Sequence, residues 1–194
     1  CLDARAAATT TGSSSSSSSS SRGGGWPLSG GGDATLRLWK LKDESHLVFR
    51  PRAVVGRHVG RSVDCCKLLS PTTFLSAGDD GAISSWSTRR KKPLVVVPLA
   101  HGAGAPVDDE DSAAKAASQT TLVYNDNPRW ITALETQRAT DLLFSGSCDG
   151  VVRLWRLPAP DDTPTIDPLP TTIPVLGYVN ALCLPHGQQP PFLA

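Results

Sequence analysis

Three carboxylates recur in one setting. Asp33, Asp80 and Asp149 each follow a serine by four residues (Ser29, Ser76, Ser145) and precede a tryptophan by six (Trp39, Trp86, Trp155). Carboxylates do general acid–base work in enzymes, and exposed indoles stack nucleic-acid bases. The shared register favours a structural role for both. Each Asp opens a turn at the same offset and would bond its own unit, and each Trp offers a large apolar face for packing between units.

The cations are the more open case. Arg50, Arg52, Arg57 and Arg61 form one cluster, and Arg89, Arg90, Lys91 and Lys92 form another. Either would neutralise phosphates and make binding salt-dependent, and either would equally serve as a solvated loop. The 89–92 run also reads as a nuclear-import signal. Asp108-Asp109-Glu110-Asp111 reads as solvation.

No catalytic chemistry emerges. His46, His58, His101 and His186 lie in unrelated contexts without metal-ligand spacing. There is no nucleophile elbow, phosphate-binding loop or deaminase zinc signature. The five cysteines lack a CxxC pair and read as reduced thiols. The expectation is a non-enzymatic protein with no catalytic residue, cofactor, metal or small-molecule substrate.

The elements that carry these residues are short strands. Asp80-Gly81 and Asp149-Gly150 are hairpin signals, because the turn needs a positive φ that Gly supplies without steric cost. Asp33-Ala34 is a poorer version, costing about 1–2 kcal/mol for a left-handed non-Gly residue. After each turn the apolar residues alternate, as in Leu36 and Leu38 or Val152 and Leu154, the period of a strand. Another apolar segment precedes each of the second and third hairpins (63–69 and 130–134), and outer strands follow at 46–49 and 94–97. Four short strands per unit with Asp and Trp at fixed places is the WD-repeat pattern of a β-propeller blade.

The fold expectation is therefore all-β: a partial WD-repeat propeller with about three to four blades represented. Residues 1–49 read as a partial blade interrupted by a Ser/Gly-rich linker at 10–28. Residues 50–100 read as a complete blade, 101–129 as an acidic disordered insertion, and 130–157 as a blade. Residues 158–172 read as a Pro/Asp-rich loop and 173–194 as the start of a further blade. Composition agrees with turns and short strands, with 17 Gly and 16 Pro among 194 residues and 39% apolar. The net charge of +1 gives no global pull toward nucleic acid or membrane. No apolar run approaches the ~20 residues of a membrane span. The chain starts at Cys1 and has no Met, which reads as an internal part of a longer protein.

The segments between the repeats carry a more specific likeness. Gly31 through Leu41, Glu44 through Phe49, Ser62-Val63-Asp64-Cys65, Lys91-Lys92-Pro93-Leu94, Ala100-His101-Gly102, Trp130-Ile131-Thr132 and Ile173 through Leu182 together resemble the family of U3 small nucleolar RNA-interacting WD-repeat proteins. Gly56-Arg57-His58 is one residue longer than the family's Gly-His. The resemblance implies a subunit of the U3 box C/D ribonucleoprotein. Its partners would be U3 RNA, box C/D core proteins including the kink-turn-binding protein, and small-subunit processome components. Its place would be the nucleolus within the nucleus, and its work pre-rRNA processing for the small ribosomal subunit. The rival from another class is a protein–protein scaffold, such as a ubiquitin-ligase substrate receptor or signalling adaptor.

Overall fold

The computed structural model describes residues 1–4, 26–51, 62–104, 128–137, 140–157 and 165–184. These residues build three four-stranded antiparallel sheets, each in simple meander order. The first comprises β1 (Leu2–Asp3), β2 (Leu28–Gly30), β3 (Leu36–Lys40) and β4 (Ser45–Phe49). The second comprises β5 (Val63–Leu68), β6 (Thr73–Gly78), β7 (Ile83–Ser87) and β8 (Val95–Val97). The third comprises β9 (Ile131–Thr136), β10 (Leu142–Ser147), β11 (Val151–Arg156) and β12 (Asp167–Pro174).

The central hairpin of each sheet follows from its turn. Gly81 and Gly150 adopt φ of 65° and 71°, and Ala34 is held at 55° in the corresponding place. Beyond the turns the strands alternate their faces. On β5, Cys65 faces the third sheet, its thiol donating to Ile131 O, while Cys66 faces the first, donating to Leu28 O. One strand thus serves two apolar cores. The core between the first and second sheets holds Leu36, Phe49, Val63, Phe74 and Trp86. The core between the second and third holds Leu75, Ile83, Ile131, Leu143 and Trp155. Burial drives both thiols' pKa upward, that of Cys66 to about 12, and all five cysteines are free.

The sheets meet through their first strands, β1 against β5 and β5 against β9. Asp3 there accepts a hydrogen bond from Leu68 N at 2.7 Å, and Lys67 Nζ donates to Glu135 Oε2 at 3.0 Å. Sheets that converge on their first strands form sectors of one ring, the blade arrangement of a propeller.

Several boundaries differ from the sequence-based expectations. The unit at 1–49 is a full four-stranded sheet, because Leu2–Asp3 pairs with Leu28–Ser29 from across the serine tract. Leu28, assigned to the linker, is a wholly buried strand residue. At the ends of the 101–129 insertion, His101 is fully buried and Ala103 bridges Pro128, so these ends are part of the sheet assembly. The acidic cluster at 108–111 lies outside the described residues. The 158–172 loop contains most of β12, whose prolines are tolerated because an edge strand has one side free of ladder bonds. Ile173 and Pro174 close that strand rather than opening a new unit. The 175–184 segment forms no strand among the described residues; Val179 nonetheless packs on Ala133 and Val152.

Candidate functional site

The serine–tryptophan spacing is a consequence of hairpin register. Across the ladder Ser29 faces Arg37, Ser76 faces Ser84 and Ser145 faces Arg153. The tryptophan two residues further along is the diagonal neighbour on the same face, within reach of a long side chain. In all three sheets its Nε1–H donates to the serine hydroxyl, at 2.9 Å for Trp39 and Ser29, 2.9 Å for Trp86 and Ser76, and 2.8 Å for Trp155 and Ser145. Trp86 is fully buried against Phe74, stacked at 6.1 Å, and Phe49 of the preceding sheet, edge-on at 5.9 Å. Trp39 is half-buried, since no sheet lies on its far side among the described residues.

The three aspartates differ in their surroundings. Asp33 accepts from Thr35 N and Oγ1 and from Arg37 at 2.6 Å, bonds that hold its carboxyl down to about 2. Asp80 accepts from Ala82 N at 3.0 Å, and burial pushes its pKa up. Asp149 accepts from Val151 N at 3.1 Å and also reaches a histidine. Each spends an acceptor on its own turn.

That histidine is His101, fully buried, which the sequence reading left aside. Its Nδ1 lies 3.0 Å from Asp149 Oδ2 and its Nε2 lies 2.8 Å from Ser145 Oγ. The Asp149 carboxylate can only accept, which assigns the proton to Nδ1; in the neutral ring Nε2 then accepts from the Ser145 hydroxyl, which itself accepts from Trp155 Nε1. Burial lowers the pKa of His101 against the opposing pull of Asp149, in keeping with a neutral ring. The signal that finds such a residue is a His on the connection from one unit's outer strand to the next unit's first strand. Here residues 105–127 separate it from β9 and obscure the spacing.

Around Asp149 stand two further cations. Arg129 and Arg153 each place a guanidinium nitrogen 3.7 Å from Asp149 Oδ2, and both are over a third exposed. Neither was singled out from the sequence.

Of the cations that were, Arg50 is exposed at the end of β4, while Arg52, Arg57 and Arg61, with His58, lie outside the described residues. Arg89, Arg90, Lys91 and Lys92 are all exposed between β7 and β8. Successive turns of a meander alternate ends, so this run lies at the end of the sheet opposite the Asp80-Gly81 turn. Among the described residues the four make no ion pair. The described residues contain no His/Cys/Asp/Glu group that could hold a metal ion.

Comparison with known proteins gives this arrangement a lineage. The family model "WD domain, G-beta repeat" matches residues 118–156. The chain is 32% identical over 163 residues to the rice (Oryza sativa subsp. japonica) U3 snoRNP-associated protein-like YAOH, covering 81% of this chain and 29% of that protein. It is 32% identical over 140 residues to the human (Homo sapiens) U3 small nucleolar RNA-interacting protein 2, covering 72% and 24%. The solved structure of the RRP9 WD40 repeats superimposes with a TM-score of 0.61 at 29% identity, over 80% of this chain and 39% of that one. The chain thus spans less than a third of the length of these two relatives. With three sheets arranged as blades, it is part of a WD-repeat β-propeller, and over about four-fifths of its length it is similar to U3 snoRNP-associated WD-repeat proteins.

Proposed function

We propose that this protein is a non-enzymatic, RNA-binding scaffold subunit of the U3 small nucleolar ribonucleoprotein, acting in pre-rRNA processing for the small ribosomal subunit. The observation that carries the reading is its kinship, over about four-fifths of the chain, with proteins named for association with the U3 particle. Two features of the molecule support it. The motif aspartates are engaged by turn N–H groups and, for Asp149, by His101, as parts of blade structure. The exposed Arg89–Lys92 run supplies charge suited to phosphates.

On this reading the partners are U3 RNA, the box C/D core proteins with the kink-turn-binding protein, and other processome components, and the protein works in the nucleolus. Crosslinking the full-length protein to RNA in cells and sequencing the bound RNA tests it. Enrichment of U3 RNA is the expected result. Its absence, with ligase or signalling subunits recovered in place of box C/D proteins, overturns the proposal.

A further inference from the structure

Two large aromatic side chains stand in water at one end of the third sheet. Trp130 is 59% exposed and Tyr178 63%. They occupy equivalent positions, each directly before a buried β-branched residue, Ile131 and Val179. Trp130 remains exposed although the second and third sheets pack against each other at Ile131. An indole so placed contributes little to the core.

Their backbones are held together and firmly. The Ser147 hydroxyl donates to Trp130 O at 2.5 Å, and the Ser147 carbonyl accepts from Val179 N at 3.2 Å. Thr132 Oγ1 donates to Val179 O, and Val175 N donates to Gly150 O at 2.8 Å. The two rings therefore rise from a preorganised frame anchored on β10 and its turn.

The charge beside them is positive. Arg129 and Arg153 share the single carboxylate of Asp149, and the buried His101 adds none when neutral, so one unit of positive charge is left over. The Arg129 guanidinium lies so close to Gly104 that a Cβ there would stand 2.7 Å from its Nε. Arg153 Nε is buried and has no hydrogen-bond partner among the described residues. Among the described residues the first sheet pairs Arg37 with Asp33 at the register of Arg153 and Asp149, the second has Ser84 there, and the third alone brings a second guanidinium, that of Arg129, to its turn aspartate.

We propose that this end of the third sheet is a stacking platform for unpaired bases of RNA, with Trp130 and Tyr178 as the stacking surfaces and Arg129 and Arg153 meeting the phosphates. The proposal rests on the RNA-binding reading above and adds the place and mode of contact. Aromatic faces accept any base, and flanking guanidiniums follow the backbone, the combination used for single strands.

The test uses the full-length protein and single-stranded oligouridylate. Trp130→Ala and Tyr178→Ala are each expected to weaken binding about tenfold. The melting temperature and the salt slope should stay unchanged, since the removed groups are exposed and uncharged. Trp130→Phe should restore most of the affinity. Unchanged affinity in the double variant overturns the platform, as does loss of a protein partner with RNA affinity intact. The two readings separate in cells. U3 RNA recovered equally by wild type and double variant sinks the platform alone. Failure of wild type to recover U3, with oligouridylate binding still lost on Trp130→Ala, sinks the U3 assignment alone.

Discussion

Asp149 and His101 meet at 3.0 Å inside the third blade, 48 residues apart in the chain and almost completely shielded from water. The pair ties the connection that leaves the second sheet to the central hairpin of the third. Replacing His101 by Ala would leave the Ser145 hydroxyl with Trp155 as its one partner, leave Asp149 Oδ2 with the two arginines at 3.7 Å, and open a cavity. The expected loss is about 3 kcal/mol in chemical denaturation of the full-length protein.

The same histidine gives stability a pH dependence. Burial lowers its pKa below the ordinary 6.5, so below that value the unfolded chain takes up a proton that the folded one refuses. The contribution is whole above pH 6.5 and is lost as the pH falls through the folded pKa. Denaturation midpoints measured from pH 7.5 to 5 should decline, and the decline should be shallower in His101→Gln.

Trp86 couples the first blade to the second. Truncation to Ala removes a buried indole that Phe49 and Phe74 contact and should cost about 3–5 kcal/mol. Ser76→Ala keeps the ring and strands its N–H, which should cost about 1–3 kcal/mol. Equal stability of Ser76→Ala and wild type in urea titration would show that this bond contributes nothing.

The three hairpin turns invite opposite substitutions. Ala34, held at φ 55°, carries a left-handed strain of about 1–2 kcal/mol that Gly removes, offset in part by the entropy of Gly. Ala34→Gly should therefore raise stability by up to about 1 kcal/mol. Gly150→Ala should lower it by about 2 kcal/mol or more, because the new Cβ would also stand 2.9 Å from Val175 O. Thermal melts of the two variants should shift in opposite directions.

The Arg89–Lys92 run is predicted to act through charge alone. Changing all four to Gln should leave the unfolding free energy within about 0.5 kcal/mol of wild type, as for exposed residues. If all four meet phosphates of single-stranded RNA, the slope of log affinity against log salt should flatten by about 3. An unchanged slope would assign the run to solvation.

The hairpins were legible from the sequence because their determinants are local. The Asp-Gly dipeptides, the alternating apolar residues and the ten-residue serine–tryptophan offset all lie within a single ladder. The offset is the diagonal of an antiparallel pair. The candidate site was legible only in part. Trp130 and Tyr178 stood in the sequence as ordinary members of apolar segments, and their exposure depends on which neighbours the sheets bring alongside.

From the sequence alone came the repeat, the strand types, the blade architecture and the family likeness, since each depends on contacts a few residues apart. The tertiary structure decided what lies across the insertions: Leu2–Asp3 as first strand of the first blade, the proline-bearing β12 as an edge, and His101 as partner of Asp149 and Ser145. It also decided that Trp86 is buried against Phe49 of the preceding sheet. The reason is the range of the forces that choose. Turn dihedrals and strand alternation are selected within a hairpin. Burial and long-range pairing are selected by which surfaces meet once the blades converge, and insertions of any length leave that choice intact while erasing it from the spacing.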